Sequence, residues 1–354
     1  MKANWLARLF PHNSTSKSKL FDETKNAAER GDANAQYALS CCYAKGSGVP
    51  QDYVEAVKWC RKAAEQNFAE AQYYLGLRYA TGEGVTQDYT EAVKLYIKAA
   101  EQGHVDAQFN LGFSYDKGAG VPQDYVEAAK WYRKAAEQNL DSAQYYLGCC
   151  YAKGKGVAKD EVEAVKWYRK SAEQNFAPAQ YELGLRYATG DGVPQDYVEA
   201  AKWHRKAAEQ NLAMAQLSLG FCYNFGHGTA RNDAEVVKWY RKAAEQNDAE
   251  VQHRLGVCYD NGDGVAKDSV EAMKWYHRAA AQNLVMAQHN LGFNYANGIG
   301  VPKDDIQAYK WFSLASAQGD ELAKRSLLPA IEERMMPEQI AEAQRLVREF
   351  IRHK

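Results

Sequence analysis

The sequence predicts an all-α chain built as a stack of helix pairs, and three observations carry that prediction. Glycine pairs fall at Gly46/Gly48, Gly82/Gly84, Gly118/Gly120, Gly154/Gly156, Gly190/Gly192, Gly226/Gly228, Gly262/Gly264 and Gly298/Gly300, always 36 residues apart. A fixed period in this range marks an array in which no single unit buries its own apolar face and stacking supplies the core. Between the glycine pairs, apolar residues recur with helical periodicity. Before each second helix stands an Asp or Asn, with Glu or Gln three residues on, the signature of a capped helix start.

Taken in order, residues 1–17 read as a disordered leader rich in Ser and Lys towards its end. Arg8 and Pro11 interrupt its few apolar residues, so no secretory signal is read there. The expectation is a cytoplasmic chain, with export as an effector left open. Residues 18–32 end in NAAERGD, which matches the later KAAEQNF, and so form the second half of a repeat serving as an N-terminal cap.

Residues 33–320 hold eight repeats of two helices each. In the first, helix A spans about Asn34 to Lys45 and stops at Gly46, which suits the left-handed position after a helix end. A short loop carries Gly48, Val49 and Pro50. Helix B opens at Asp52, with Glu55 completing an acidic variant of the capping box. The pair recurs at Asp88/Glu91, Asp124/Glu127, Asp160/Glu163, Asp196/Glu199 and Asp268/Glu271, with Asn232/Glu235 and Asp304/Gln307 as near variants.

On helix A, Ala35, Leu39 and Tyr43 share an arc, with Ser40 beside them; the serine position is glycine in every later repeat, from Gly76 to Gly292. On helix B, Ala56, Cys60, Ala63 and Ala64 share another arc, with Trp59 at its edge. The small residue lets the partner helix approach, and tryptophan and tyrosine fill the wedge between pairs. Only the second repeat lacks the tryptophan, having Leu95 instead.

A second period lies inside the first. CCYAKG at Cys41 returns at Cys149, and LGLRYATG at Leu75 returns at Leu183, so a block of three repeats is duplicated whole. Residues 321–354 close the chain with capping helices. Glu321 to Met335 begins as another helix A, which Pro329 is expected to kink or end. Pro337 opens a final amphipathic helix with Ile340, Ala343, Leu346, Val347, Phe350 and Ile351 along one side, as an array needs at its open end.

The consensus LGxxYxxGxGVPxDxxEAxKWYRKAAEQ resembles the Sel-1-like repeat, a relative of the tetratricopeptide repeat with a longer period and the added G-x-G-V-P loop. The resemblance covers most of the chain, including a PEQI-type final helix. It implies a right-handed α/α superhelical solenoid and a non-enzymatic role as scaffold or adaptor for protein complexes.

In tetratricopeptide arrays the outer face of helix A lines a concave groove. By that resemblance the partner-binding stripe comprises Tyr37, Tyr73, Leu77, Phe109, Phe113, Tyr145, Tyr181, Leu185, Leu217, Phe221, His253, His289 and Phe293, with Cys41, Cys149 and Val257 completing it. Arg78 and Arg186 at its edge suit a carboxylate or phosphate of a bound protein or peptide, and internal ion pairing with Glu83, Glu182 and Asp191 competes for them. Packing between adjacent A helices is the bland alternative for the stripe.

Other function classes fit less well. Lysines and arginines number 44 against 45 acidic residues, so there is no basic surplus for nucleic acid. No apolar run reaches the roughly 18 residues of a membrane span. The helix B outer face carries Lys58 and its seven equivalents, which reads as a solvated charged surface. Seven irregularly placed cysteines suggest free thiols in a reducing compartment.

Repeat spacing sets His253 and His289 too far apart to share a metal, so neither metal nor cofactor is expected. Each G-x-G follows a helix, unlike a nucleotide loop, which follows a strand. Cysteine-rich proteins with similar repeats are associated with β-lactam or peptidoglycan binding, which gives a hydrolase-like alternative. Those rely on regular cysteine pairs that this chain lacks. Oligomeric state is left open.

Overall fold

The computed structural model describes residues 14–352, which form nineteen α-helices and no strand. The chain divides into two compact units, one ending at Gln174 and the other beginning at Asn175. The first unit opens with α1 (Ser14–Glu29) and continues through four pairs: α2 (Ala33–Lys45) with α3 (Tyr53–Glu65), α4 (Ala69–Thr81) with α5 (Tyr89–Glu101), α6 (Val105–Lys117) with α7 (Tyr125–Glu137), and α8 (Asp141–Lys153) with α9 (Glu161–Glu173). The second unit has α10 (Ala177–Thr189) with α11 (Tyr197–Glu209), α12 (Ala213–Phe225) with α13 (Asp233–Ala244), α14 (Ala249–Asn261) with α15 (Ser269–Ala281), and α16 (Val285–Asn297) with α17 (Asp305–Ala317). A π-helical stretch (Ala323–Leu327), α18 (Leu328–Glu332) and α19 (Pro337–Arg352) follow. Within each unit every A helix packs on its own B helix, and every B helix on the next A helix.

Three details at the two ends of the array differ from the sequence expectation. Ser14 to Lys17, assigned above to a disordered leader, form the first turn of α1, and the leader's first thirteen residues lie outside the described ones. The helix begun at Glu321 is interrupted at Pro329, as expected, but by a change of helix type rather than by a stop. The backbone widens to π geometry, Leu328 N–H bonding the Ala323 carbonyl, and a new α-helix starts there with Pro329 in its first turn. A proline's missing N–H costs nothing at that position. On α19, Ala343 is buried and Phe350 meets Trp311 at 5.5 Å, while Ile351 is exposed to solvent.

The capping box is also only half formed. Asp52 accepts from the N–H groups of Val54 and Glu55, as expected. Its own N–H, which the box would give to Glu55, bonds the Tyr43 carbonyl at 2.9 Å instead. The same bond closes all eight helix pairs, at 2.9–3.1 Å. The glutamate is thereby released to pair with the lysine three residues on, in each of the first seven repeats.

The two glycines of each loop do different work. The first ends helix A in left-handed backbone, as at Gly82 with φ 78°. The second meets the preceding repeat: a Cβ on Gly84 would lie 2.2 Å from the Tyr53 carbonyl oxygen, at the start of α3. Side chains are thus excluded by a neighbouring repeat's backbone, on top of the positive φ.

A ladder of glutamines, one buried and one exposed in each rung, recurs along the repeats. Gln66, at the end of α3, donates to Gln36 in the first turn of α2 at 2.8 Å. The equivalent bond recurs in every repeat, at 2.7–2.9 Å. Gln72 in turn reaches back to the Ala64 carbonyl at 3.3 Å and the Asn67 side chain at 3.0 Å. Asn67 sits at φ 62°, a left-handed site at a helix end that asparagine tolerates.

Candidate partner-binding face

Two rows of side chains were expected on the A helices, and the packing separates them. The first row is drawn sideways onto the ring of its own B helix. Tyr73 lies 6.1 Å from Tyr96, Phe109 5.8 Å from Tyr132, Tyr145 5.9 Å from Tyr168, Tyr181 5.6 Å from His204, and His289 5.8 Å from Phe312. Tyr37 is 2% exposed beneath Phe68 and Tyr74, and His253 is 9% exposed against Tyr276, so both belong to the interior. Leu217 is half-buried and packs on the core. At 100° per residue this row stands roughly 70° from the centre of the open arc, towards helix B.

The second row is more open. Leu77, Leu185 and Phe221 are half-buried, while Phe113 is 38% and Phe293 46% exposed. The same arc carries residues missing from the expected stripe: Tyr74, Met214 at 51%, Phe225 at 62% and Met286. Positions 214, 218, 221 and 225 lie at i, i+4, i+7 and i+11, a single helical line. That line was legible in the sequence; the expected stripe joined the Tyr37 and Cys41 rows, and only the Cys41 row, continued by Phe113, Phe221 and Phe293, lies on it.

The edge arginines are engaged internally. Arg78 pairs with Glu83 and lies 5.0 Å over the Tyr53 ring. Arg186 stands 3.6 Å from both Glu182 and Asp191. The helix B charges are engaged as well: beyond the Glu–Lys pairs, Lys62 covers the Trp59 ring at 4.0 Å, and Lys134, Lys170 and Lys206 repeat the contact at 3.9–4.2 Å. In the last repeat, where Gln307 replaces the glutamate, Lys310 turns instead over Trp311 and Phe350, and burial lowers its pKa.

The histidines serve separate contacts. His289 bonds Asp320 at 2.6 Å, and His253 Nε2 lies 3.2 Å from the Asn290 amide nitrogen. No group of three or more metal-ligating side chains gathers among the described residues. Burial pushes the thiols of Cys42, Cys222 and Cys258 up to about 11, and those of Cys60 and Cys150 to about 12. They stay protonated near neutral pH and supply no thiolate nucleophile. No helix among the described residues is long and apolar enough to cross a membrane.

With the repeat geometry in view, the family model for the Sel1 repeat matches eight consecutive segments that tile residues 33–320 without a gap. The chain belongs to the Sel1 repeat family. Among solved structures, a Sel1 repeat protein from Oxalobacter formigenes is similar over 90% of this chain and 94% of its own, with 31% identity and a TM-score of 0.66. The c5321 protein of uropathogenic Escherichia coli, described as a protective antigen with an SLR fold, is similar over 94% of both chains, with 31% identity and a TM-score of 0.59. No curated protein matches. The Sel1 fold accounts for the stacked pairs and the loop glycines. The glutamine ladder was absent from the sequence reading, although its signal was available in the AAEQ and AQ dipeptides that recur with the period.

Proposed function

We propose that this Sel1 repeat protein is a non-enzymatic scaffold that holds a protein or peptide partner along the open line of its A helices. The observation that carries the reading is the run of exposed large apolar side chains there, Phe113 in the first unit and Met214, Phe225, Met286 and Phe293 in the second. Exposed apolar surface in this arrangement marks an interaction site. The B-helix face supports the same choice by contrast, because its lysines are already neutralised or seated on tryptophan. The raised cysteine pKa values weigh against nucleophilic catalysis, and free thiols suit a reducing, cytoplasmic location.

The test is capture of partners from a lysate by the wild type and by Phe113→Ser/Phe225→Ser/Phe293→Ser, after circular dichroism shows equal helix content. Loss of specific partners in the variant is expected. An unchanged partner set would sink the reading.

A further inference from the structure

The second unit contains a cavity of about 310 Å³ that runs beside α14, lined from Glu250 in its first turn to Asp263 just past its end. Thirteen residues of helix span roughly 20 Å, the reach of about six residues of extended chain.

One column of residues, which carries a tyrosine in the second and fourth repeats only, borders it. In the second repeat Tyr74 leans on Tyr37 at 5.3 Å, and in the fourth Tyr146 lies 5.4 Å from Tyr132 and 5.5 Å from Phe109, so rings fill the space beside the A helix. The seventh repeat has Arg254 in that column. Its guanidinium turns over the Phe221 ring at 5.0 Å and pairs with Glu250 at 2.7 Å, and Val236, Tyr240 and Val257 are left lining open space.

Charge and hydrogen bonding say what fits. Arg254 is matched by Glu250, and Arg231 by Asp233 at 3.1 Å. Asp263 takes an amide hydrogen from Asn261 at 3.1 Å and leaves the lining one negative charge in excess. A Cβ on Gly264 would lie 1.9 Å from the Asp233 carbonyl oxygen, so the loop carrying Asp263 packs against the Asp233 backbone at one end of the groove. Midway along, His253 is nine-tenths buried and its Nδ1 has no partner, nor has Arg254 Nε. With the Asn290 amide donating to His253 Nε2, the imidazole hydrogen lies on Nδ1, a donor lacking an acceptor.

We propose that this groove binds an extended peptide segment, with a lysine or arginine side chain seated by Asp263 and a backbone carbonyl drawn to the His253–Arg254 edge. The inference deepens the scaffold reading, on which it rests, by naming a partner chemistry.

An array of immobilised, acetylated alanine hexapeptides tests it, each carrying a single Lys, Arg, Glu or Leu. The probes are the full chain, Arg254→Tyr, which restores the ring of Tyr146, and Asp263→Asn on the surface. Retention of Lys and Arg peptides at least tenfold above Glu is expected, weakened by salt and lost in both variants. Equal retention of Glu or Leu peptides, retention untouched by Arg254→Tyr, or no retention by the wild type each overturns the proposal. If Arg254→Tyr still captures lysate partners that the triple phenylalanine variant loses, the groove proposal alone has failed and the scaffold reading stands.

Discussion

Tyr240 presses so closely on Gly220 that a methyl group there would stand 2.4 Å from its ring. The same approach recurs at 2.6–2.8 Å between Gly76 and Tyr96 (2.7 Å), Gly112 and Tyr132 (2.8 Å), Gly184 and His204 (2.6 Å), and Gly292 and Phe312 (2.6 Å). Only the first repeat departs, having Ser40 opposite Cys60, a larger residue facing a smaller one. Gly220→Ala is expected to destabilise by about 1–3 kcal/mol through overpacking, although alanine is the better helix former by about 1 kcal/mol. In a Tyr240→Cys background the same change should cost little or stabilise. Urea denaturation of the four-member cycle checks this, and additive effects would show that the two residues are not coupled.

The glutamine ladder makes a second prediction. Gln252 donates to the Ala244 carbonyl at 3.1 Å and accepts from Gln282 at 2.9 Å, at 2% exposure. Gln252→Leu keeps much of the volume but removes both bonds, although Gln282 is exposed and the Ala244 carbonyl still accepts from the Asn247 N–H at 3.1 Å. An intramolecular hydrogen bond contributes about 0.5–1.5 kcal/mol net, so a loss on the order of 1–3 kcal/mol is expected. A denaturation midpoint equal to that of the wild type would mean the bonds contribute nothing net.

His204 occupies the wedge where neighbouring repeats place Tyr168 and Tyr240, and burial holds its pKa down at about 4. Its unfolded value is near 6.5, so the unfolded chain takes up the proton more readily. Stability from the neutral ring is complete above about pH 6.5 and is lost as pH falls towards 4, by roughly 2 kcal/mol at pH 5. Thermal midpoints recorded from pH 8 to 4 should show His204→Tyr flattening that stretch of the curve. Parallel curves for the two proteins would place the acid sensitivity elsewhere.

Trp167 is buried in the core of the first unit with Lys170 over its ring at 4.2 Å. Trp167→Ala should therefore cost about 3–5 kcal/mol. Trp167→Phe should cost far less, since the indole nitrogen has no partner to lose. Equal losses for the two variants would point to the indole N–H rather than to packing.

Much of this was legible in the chain. A 36-residue glycine spacing dictates repeated helix ends, and the Leu39, Tyr43 and Trp59 columns dictate faces that only stacking can bury. By itself the sequence determined the family, the helix pairs, the capping aspartates and the small position on helix A that lets helix B approach, because each depends on residues close in the chain or repeated with the period. The ring that meets that small position is the helix B residue after the tryptophan, not the Tyr43 column. Tertiary structure alone decided which of two adjacent rows faces solvent, since a phase difference of roughly 70° turns on where the neighbouring ring of helix B lies. It also decided that Asp52 N–H goes to Tyr43, releasing Glu55, and that Gln36 and Gln66 meet. Those bonds join groups brought together only when helices pack, and the Arg254 groove likewise lies in space between packed helices, beside a column that Tyr74 and Tyr146 fill in two other repeats.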